Sequence, residues 1–416
     1  MARIFPFRPY RYSAQAGPLD HVVTQPYDKI SPAMQARYLS LSPHNLVRVI
    51  LGERRPDDTE SDNVYTRAAA HFAAWRRDGV LVRDREPALY AYFQEFSVPG
   101  SQERLVRKGF IGLGAVEDYE TGVVHRHERT LSGPKKDRLQ VLEHTRAHFG
   151  QIFMLYPDPA GAIDALLDQA ALGEPAASVV DEYDARHTLW RIAEPAAIER
   201  MQASMADKKL LIADGHHRYE TALNFRNAHP EIPGAACVMM TFVNMHSPGL
   251  RILATHRLVS NLSTLAPESF LRAAAQWFTV TPLASPEALQ AAWSAPHPET
   301  VRLGVVFAGE AQLYLLETPR AGRLDVPVLH ETVLRDVLGI GEEAVRDEKH
   351  LRYVRGLDVA VREVRSGAAQ AGFLLEPTPI EDMARISFAG GVMPQKSTDF
   401  YPKLLSGLTI YKVDET

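Results

Sequence analysis

The chain has 416 residues, of which 45% are hydrophobic and 23% charged, and its formal net charge is −5 at pH 7. These values are typical of a globular protein with two or three domains, and the mild acidity argues against a dedicated nucleic-acid-binding protein. Cys237 is the only cysteine, which excludes an internal disulfide and fits the reducing cytoplasm. The sequence has no apolar run near the roughly 20 residues of a membrane helix and no signal-peptide h-region. We expect a cytoplasmic protein with small-molecule partners, no nucleic-acid or membrane partner, and homo-oligomerisation left open.

Prolines interrupt the first 50 residues, so no long helix is predicted there. From residue 59 the periodicity of apolar residues changes repeatedly between the helical and the strand pattern. Thr59 or Ser61 is expected to cap the first helix, and Asp137 a later one. Before residue 260 the patterns predict helices at 59–78, 137–148, 160–172, 195–206 and 219–226, and strands at 89–96, 108–116, 151–156, 210–213, 235–244 and 251–259.

The second part of the chain continues the mixture of helices and strands. The patterns predict helices at 267–278, 326–338 and 358–366, and strands at 301–307, 312–316, 351–353 and 371–375. The expected fold class is therefore α/β (α+β). We expect a catalytic region at 1–260, a C-terminal α/β domain at 261–392, and a polar tail at 393–416 that returns to the active site.

The most informative motif is Asp-Gly-His-His-Arg at 214–218, which follows an apolar strand and opens a helix. Such a strand-to-helix turn binds anions, because unpaired backbone N–H groups and the positive end of the helix dipole meet there. Gly215 allows close backbone approach, and Arg218 can hold phosphate through two parallel hydrogen bonds. His216 or His217 would handle a proton or a developing charge. The alternative is a capping Asp214 followed by two solvent-facing histidines.

A second cluster of charged residues lies at 125–138 and precedes a predicted helix. Lys135, Lys136 and Arg138 would crowd the start of that helix and form another anion site. Glu128 is a candidate base or metal ligand. Zinc is not expected, because the sequence has neither cysteine pairs nor His-Glu-x-x-His spacing. The alternative for the whole cluster is a solvated charged loop.

Three further motifs carry weaker signals. In Gln-Pro-Tyr-Asp-Lys at 25–29, Asp28 is a candidate general base beside Tyr27, although a plain turn is the simpler interpretation. His256 lies in a predicted strand, where a lone histidine is usually structural. The polar segment 394–403 could close over a phosphate or remain a solvated tail.

Taken together and in this order, the motifs resemble a bacterial and archaeal family, the domain of unknown function 1015. The matching stretches are 25–28, 127–130, 134–138, 213–223, 255–257, 393–398 and 401–403. Locally, residues 214–218 are similar to the nucleotide-phosphate box of the ParB/sulfiredoxin superfamily, one branch of which phosphorylates free L-serine. The resemblance implies a ParB/sulfiredoxin-like mixed-sheet core and a phosphotransferase.

The resemblance implies that the box binds the transferred phosphate, with Mg²⁺ held by Asp214 and Glu128, and that either Asp28 or Glu128 is the base. The expected catalytic set is Asp28, Glu128, His216, His217 and Arg218. The expected phosphate-binding residues are Asp214, Gly215, His216, His217, Arg218, Lys135, Lys136, Arg138, Lys396, Ser397 and Lys403. The expected substrate contacts are Tyr27, His127, Thr130, His256, Arg257 and Tyr219.

The reaction expected from the resemblance is phosphoryl transfer to a small hydroxyl compound, with free L-serine as the first candidate. The lysines and arginines outside the box resemble a cage for an oligophosphate, and no adenine pocket is apparent near it. Pyrophosphate is therefore a donor candidate beside ADP and ATP. Two alternatives remain: a phosphoserine phosphatase, and a ParB-like nucleotide- or DNA-binding module without catalysis.

Overall fold

The structure is a computed structural model that describes residues 1–128, 132–394 and 396–415, with the backbone alone for 132–135. The chain divides into two compact units: unit 1 is Met1–Arg251 with Pro402–Thr416, and unit 2 is Ile252–Tyr401. The predicted limits at residues 260 and 392 differ from these, and the predicted tail contributes residues to both units. Among the helices of the described residues, none combines the length and hydropathy needed to cross a bilayer.

The helices lie in both units. In chain order they are α1 (Pro32–Leu41), α2 (Val47–Ile50), α3 (Val64–Arg77), α4 (Ser132–Thr145), α5 (Ala162–Ala170), α6 (Pro195–Met205), α7 (His216–Ala228), α8 (Pro267–Ala274), α9 (Pro286–Ser294), α10 (Asp325–Val328), α11 (Glu342–Arg346), α12 (Leu357–Arg365) and α13 (Ile380–Phe388). A π-helical segment, Leu329–Val337, follows α10, and short 3₁₀ turns include Tyr27–Lys29.

The strands are mostly short. In chain order they are β1 (Ile4–Phe5), β2 (Tyr10–Tyr12), β3 (Leu81–Arg83), β4 (Leu89–Ser97), β5 (Arg104–Ala115), β6 (Val124–His125), β7 (Ala147–His148), β8 (Ile152–Tyr156), β9 (Ala177–Val180), β10 (Arg186–Ile192), β11 (Leu210–Asp214), β12 (Cys237–Asn244), β13 (Arg251–Ile252), β14 (Thr255–Val259), β15 (Thr279–Leu283), β16 (Thr300–Phe307), β17 (Leu313–Pro319), β18 (Leu351–Arg355), β19 (Ala371–Leu374), β20 (Phe400–Tyr401) and β21 (Tyr411–Lys412).

A mixed sheet forms the centre of unit 1, with the strand order β6-β11-β8-β12-β5-β4-β10-β9 and β1 paired to β5. The pairs β6/β11 and β8/β12 are parallel, whereas β8/β11 and β5/β12 are antiparallel. β8 and the first four residues of β11 are buried on both faces of the sheet, which fits their unbroken runs of apolar and aromatic residues. The sheet confirms the predicted α/β class and carries the Asp-Gly-His-His-Arg turn at the end of an inner strand.

Two predicted helix starts in unit 1 differ from the structure by five residues. The first helix begins at Val64 and is capped by Asn63, whose side chain accepts hydrogen bonds from the backbone N–H groups of Tyr65 and Thr66. The helix expected from residue 137 is α4, which begins at Ser132; the proline at 134 is compatible with this start because a first turn tolerates proline. Asp137 therefore lies inside α4 and does not cap it.

Unit 2 is built on an antiparallel sheet of its own, with the strand order β15-β17-β16-β19-β14-β18. Its core contains fully buried Val305, Leu316 and Phe373. The helix predicted over 326–338 is divided into α10 and the π-helical segment after it.

Candidate functional site

The site lies at the turn that connects β11 to α7. The apolar part of β11 is buried, and a bulge in its pairing with β8 falls between Ile212 and Asp214. Bulges of this kind change the direction of a side chain at the end of a strand. Gly215 follows with φ 97°, a left-handed conformation that favours glycine, and it forms the N-cap of α7. Because glycine has no side chain, it cannot supply the usual capping hydrogen bond to the first turn.

The guanidinium of Arg218 folds back over this turn. Its Nη1 donates to the carbonyl of Gln151, and its Nη2 lies 3.4 Å from Oδ1 of Asp214. A Cβ atom at Gly215 would lie 3.1 Å from Nε of Arg218, and one at Gly150 would lie 3.2 Å from its Nη1. Both glycines therefore leave the room that the guanidinium occupies.

Asp214 is surrounded by positive charge. Nζ of Lys403 donates to its Oδ2 at 2.9 Å, and the two side chains are 11% and 21% exposed. Burial alone would raise the pKa of the Asp214 carboxyl, but the charges of Lys403, Arg218 and Lys29 outweigh it and hold that pKa well below its usual range. Asp214 is therefore ionised at neutral pH and holds these cations together.

The Gln-Pro-Tyr-Asp-Lys loop reaches the same place. The centre of the Tyr27 ring lies 4.0 Å from the guanidinium carbon of Arg138, a cation–π contact. Both side chains line a cavity of about 60 Å³ together with Arg218. Asp28, next to Tyr27, is exposed. The remaining walls of the cavity are mainly apolar and come from Pro26, Ile50, Val141, Leu142, Ala147, His148, Phe149, Gly150, Thr221 and Ser406.

The two histidines of the box differ in environment. His216 is 7% exposed, and its ring packs edge-on against that of His127, with 4.6 Å between ring centroids. Burial lowers the pKa of His127 to about 4 and that of His216 well below its usual range, so both are neutral at pH 7. His217 keeps partial exposure. The expectation that His216 acts on substrate finds no support in this buried position, and the alternative of two solvent-facing histidines is wrong for the same reason.

Glu128 lies beside His127, with 3.7 Å between Oε1 and Nε2. Because His127 is neutral, this contact is not an ion pair at pH 7. His127 also uses Nδ1, which lies 2.8 Å from the carbonyl of Ile212 and so carries the proton. His127 is thus a fully buried residue whose ring is attached to the backbone of β11, and its expected contact with substrate stays a prediction.

Other predicted residues of unit 1 lie away from the cavity or outside the described atoms. Tyr219 is 0% exposed, and its hydroxyl exchanges hydrogen bonds with the backbone of Glu117, so it has no surface with which to touch a substrate. Lys136 is on an exposed part of α4. Thr130 and the side chain of Lys135 lie outside the described residues.

The remaining predicted residues belong to unit 2. Nδ1 of buried His256 accepts a hydrogen bond from the N–H of Leu375, and burial lowers its pKa to about 4. Buried Arg257 donates to the carbonyl of Lys396 at 3.0 Å. Ser397 donates to the carbonyl of Pro394 at 2.6 Å. Arg257, Lys396 and Ser397 thus form a local arrangement within unit 2, and their expected role in phosphate or substrate binding stays a prediction.

Sequence reasoning missed several residues that shape the site. Lys29 belongs to the Gln-Pro-Tyr-Asp-Lys motif, but its charge was not expected to act on Asp214. Gln151 was the first residue of a predicted strand, and its amide donates to the carbonyl of Leu405 at 3.3 Å. Arg107 is 1% exposed within β5, but it lies one residue before the strand predicted at 108–116, so the local pattern carried no signal of its burial. Their partners lie far along the chain, which the local pattern does not reveal.

Metal binding was expected at Asp214 and Glu128. Within the described ranges, no group of three or more His, Cys, Asp or Glu side chains has a metal-binding arrangement. Asp214 already accepts from Lys403 and lies beside Arg218. A single carboxylate can still contribute to Mg²⁺ binding when the phosphates of a substrate supply other oxygen ligands.

Comparisons with known proteins give one family and several distant structural neighbours. A free serine kinase in complex with AMP has 12% identity and a TM-score of 0.37, covering 69% of this chain and 89% of that one. A conserved hypothetical protein from Pyrococcus furiosus has 12% identity and a TM-score of 0.36, covering 69% and 92%. A truncated SbnI from Staphylococcus aureus has 10% identity and a TM-score of 0.37, covering 73% and 87%. Likeness at this level carries no information on function.

The search of curated proteins found no match. The family model described as "Protein of unknown function (DUF1015)" matches residues 4–360, which is most of the chain. The chain therefore belongs to the DUF1015 family, as its motifs predicted.

Proposed function

We propose that unit 1 is a phosphotransferase that moves a phosphoryl group from pyrophosphate or a nucleotide to the hydroxyl of a small metabolite, with free L-serine as the first candidate acceptor. The observation that carries the proposal is the cavity wall on which Arg138 and Arg218 converge beside the start of α7. Two guanidiniums and a helix N-terminus in one place suit an anion with several negative oxygens.

The surrounding charges strengthen the anion site. The positive charges of Lys403, Lys29 and Arg218 all act on the single negative charge of Asp214, so this group of side chains has a net positive charge. Arg138 is held by the carbonyl of Ile50 at 2.6 Å and by Asp137. Phosphoryl transfer depends mainly on positioning and on neutralising the charge of the transition state, which such a fixed set of cations would do.

The proposed step has balanced bonds and protons. The oxygen of the acceptor hydroxyl attacks the terminal phosphorus of the donor, and the bond from that phosphorus to the bridging oxygen breaks. The leaving phosphate keeps the electron pair, and the hydroxyl proton moves to a carboxylate. Asp28 is the first candidate for this base because its neighbour Tyr27 lines the cavity, and Glu128 is the second.

Mg²⁺ is part of the proposal as an ion held mainly by the phosphates of the donor, with Asp214 as the protein carboxylate that fits it best. When bound, it would neutralise charge on the donor oxygens. The roles of Arg218, Arg138 and Lys403 do not depend on it, since each is held by protein groups in the structure.

The acceptor and donor rest on different grounds. Serine comes from the similarity of residues 214–218 to the phosphate box of free serine kinases. The donor is open: the cations suit pyrophosphate and equally the terminal phosphates of ADP or ATP, whereas a cavity of about 60 Å³ leaves a nucleoside outside it.

Phosphorus-31 NMR tests the proposal directly. The protein with Mg²⁺ is incubated with L-serine and either ATP, ADP or pyrophosphate, and separately with O-phosphoserine alone. We expect a phosphoserine signal with at least one donor. Phosphate release from phosphoserine without donor would indicate the phosphatase instead, and no turnover in any mixture would refute the proposal.

A further inference from the structure

A buried arginine lies behind the lysine that contacts Asp214. Arg107 in β5 is 1% exposed, and its guanidinium carbon lies 4.7 Å from the centre of the Phe153 ring. Burial lowers the pKa of Arg107 to about 10, which still leaves it charged at neutral pH. Burying a charge is costly unless its hydrogen bonds are satisfied, so the partners of this guanidinium indicate what it does.

The partners hold both peptide groups that flank Lys403. Nη2 of Arg107 donates to the carbonyl of Pro402 at 2.5 Å, and its Nε donates to Oε1 of Gln94 at 2.9 Å. The amide of Gln94 then donates to the carbonyl of Lys403 at 2.9 Å. The backbone is therefore fixed on each side of the Lys403 Cα atom, and this sets the direction in which the side chain leaves toward Asp214.

The same network continues through buried side chains. Nδ1 of His187 lies 2.6 Å from the hydroxyl of Tyr92 and 3.2 Å from the amide nitrogen of Gln94. Both can donate, so Nδ1 accepts and the proton is on Nε2, which donates to Asp181 at 3.2 Å. The Tyr92 hydroxyl in turn accepts from the N–H of Leu405 at 3.4 Å, which adds another attachment to the segment after Lys403.

The far end of the network reaches the other loop of the site. Gln25, two residues before Tyr27, donates from its side-chain amide to Oδ2 of Asp181 at 3.1 Å. Thr24 and Ser406 also exchange backbone hydrogen bonds at 3.1 and 2.8 Å. The loop with Tyr27 and the segment with Lys403 are therefore anchored to one buried network.

We propose that Arg107 is a positioning residue, which places Lys403 on Asp214 by holding the Pro402 carbonyl and, through Gln94, the Lys403 carbonyl. The expected effect on donor KM rests on the proposed function, whereas the expected position of the Lys403 side chain does not. A merely structural arginine would lower stability without changing the environment of the Lys403 amine.

Acylation of lysines by sulfo-N-hydroxysuccinimide acetate, followed by peptide mass spectrometry, tests the geometry in the full chain. Lys412 is the internal reference, because its side chain is 11% exposed and ion-paired, as is that of Lys403. We expect Arg107→Met to raise the acylation rate of Lys403 relative to Lys412 about tenfold, the loss expected for a hydrogen bond to a charged group. Arg302→Met, which removes a partly buried guanidinium bound to a carbonyl and a carboxylate in unit 2, controls for the loss of an arginine away from Lys403.

Two additional variants cover a failure of Arg107→Met to fold. Arg107→Lys keeps the charge but not the paired donors, and Gln94→Leu releases the Lys403 carbonyl, so each is expected to raise the labelling of Lys403. In the kinetic arm, Arg107→Lys is expected to raise the donor KM by about tenfold with a smaller change in kcat. Unchanged Lys403 labelling in the folded variants would overturn the proposal. Absence of phosphoryl transfer in the unmodified protein would overturn the proposed function alone and leave the labelling result to stand by itself.

Discussion

Replacing Arg218 by alanine is expected to have a small effect on the free energy of unfolding and a large effect on the rate of phosphoryl transfer. The side chain is 14% exposed, and its polar contacts among the described residues are one to the Gln151 carbonyl and one of 3.4 Å to Asp214. Asp214 keeps Lys403 and Lys29 after the change, so the main loss is the charged hydrogen bond to the carbonyl. We expect Arg218→Ala to lower the free energy of unfolding by about 2 kcal/mol.

The expected loss of activity is much larger. An arginine that stabilises transition-state charge in phosphoryl transfer is worth roughly 10³–10⁵ in rate, which corresponds to about 4–7 kcal/mol. The measurement pairs urea unfolding with phosphorus-31 NMR of phosphoserine formation under saturating serine and donor. A loss of only a few fold, in a variant that remains folded, would refute the role assigned to Arg218.

The same helix offers a matched control. Arg226 in α7 also donates to one backbone carbonyl, that of Val116, at 2.5 Å, and to one carboxylate, Asp118, at 2.9 Å. Arg226→Ala should therefore cost a similar free energy of unfolding and leave turnover near normal. Equal losses of activity in both variants would show that the effect of Arg218→Ala comes from the helix and not from the site.

Three further predictions concern backbone, base and pH. Gly215→Ala and Gly161→Ala each place a side chain on a helix N-cap in the left-handed conformation, at φ 97° and 66°. Each should lower the free energy of unfolding, measured by thermal unfolding, by about 1–2 kcal/mol. Only Gly215→Ala should also reduce turnover, because its new side chain would meet Arg218, whereas Gly161 has open space around it. Asp28→Asn should lower kcat by about 10²–10⁴ if Asp28 is the base, and a larger loss in Glu128→Gln would transfer that role. The pKa of His127 is lowered to about 4, so its neutral form stabilises the fold above pH 6.5, and this contribution of up to about 3 kcal/mol is lost as pH drops from 6.5 to 4. Because His216 and His256 also become protonated more easily in the unfolded chain, the test is a difference: between pH 6.5 and 4, the free energy of unfolding of His127→Gln in urea should fall by about 3 kcal/mol less than that of the unmodified protein.

The sequence was sufficient where structure depends on neighbours in the chain. The apolar run before Asp214 and the glycine after it predicted a strand, a turn and a helix, and β11 and α7 confirm them. The α/β class followed from the alternating patterns in the same way. The start of α4 was mispredicted because aspartate is a common N-cap residue. Asp137 instead lies inside α4, where its side chain accepts hydrogen bonds from Arg54 and Tyr65.

The candidate site needed information that no local pattern contains. Lys403 and Asp214 are 189 residues apart, and Arg107 and Pro402 are 295 residues apart. The sequence identified Lys403 by charge, but not its partner. It also gave His216 a chemical role, although the packing of that ring against His127 was decided by the fold of the sheet edge.

Unit 1 is assembled from two stretches of polypeptide, because residues 402–416 belong to it after the whole of unit 2 has intervened. During translation, Lys403 is the 189th residue that the ribosome adds after Asp214. At about 5–20 residues per second, the delay is roughly 10–40 s. For this time a nascent chain carries Asp214 without the ammonium group of Lys403, and the charge balance described at this carboxylate is reached only after Lys403 has been synthesised.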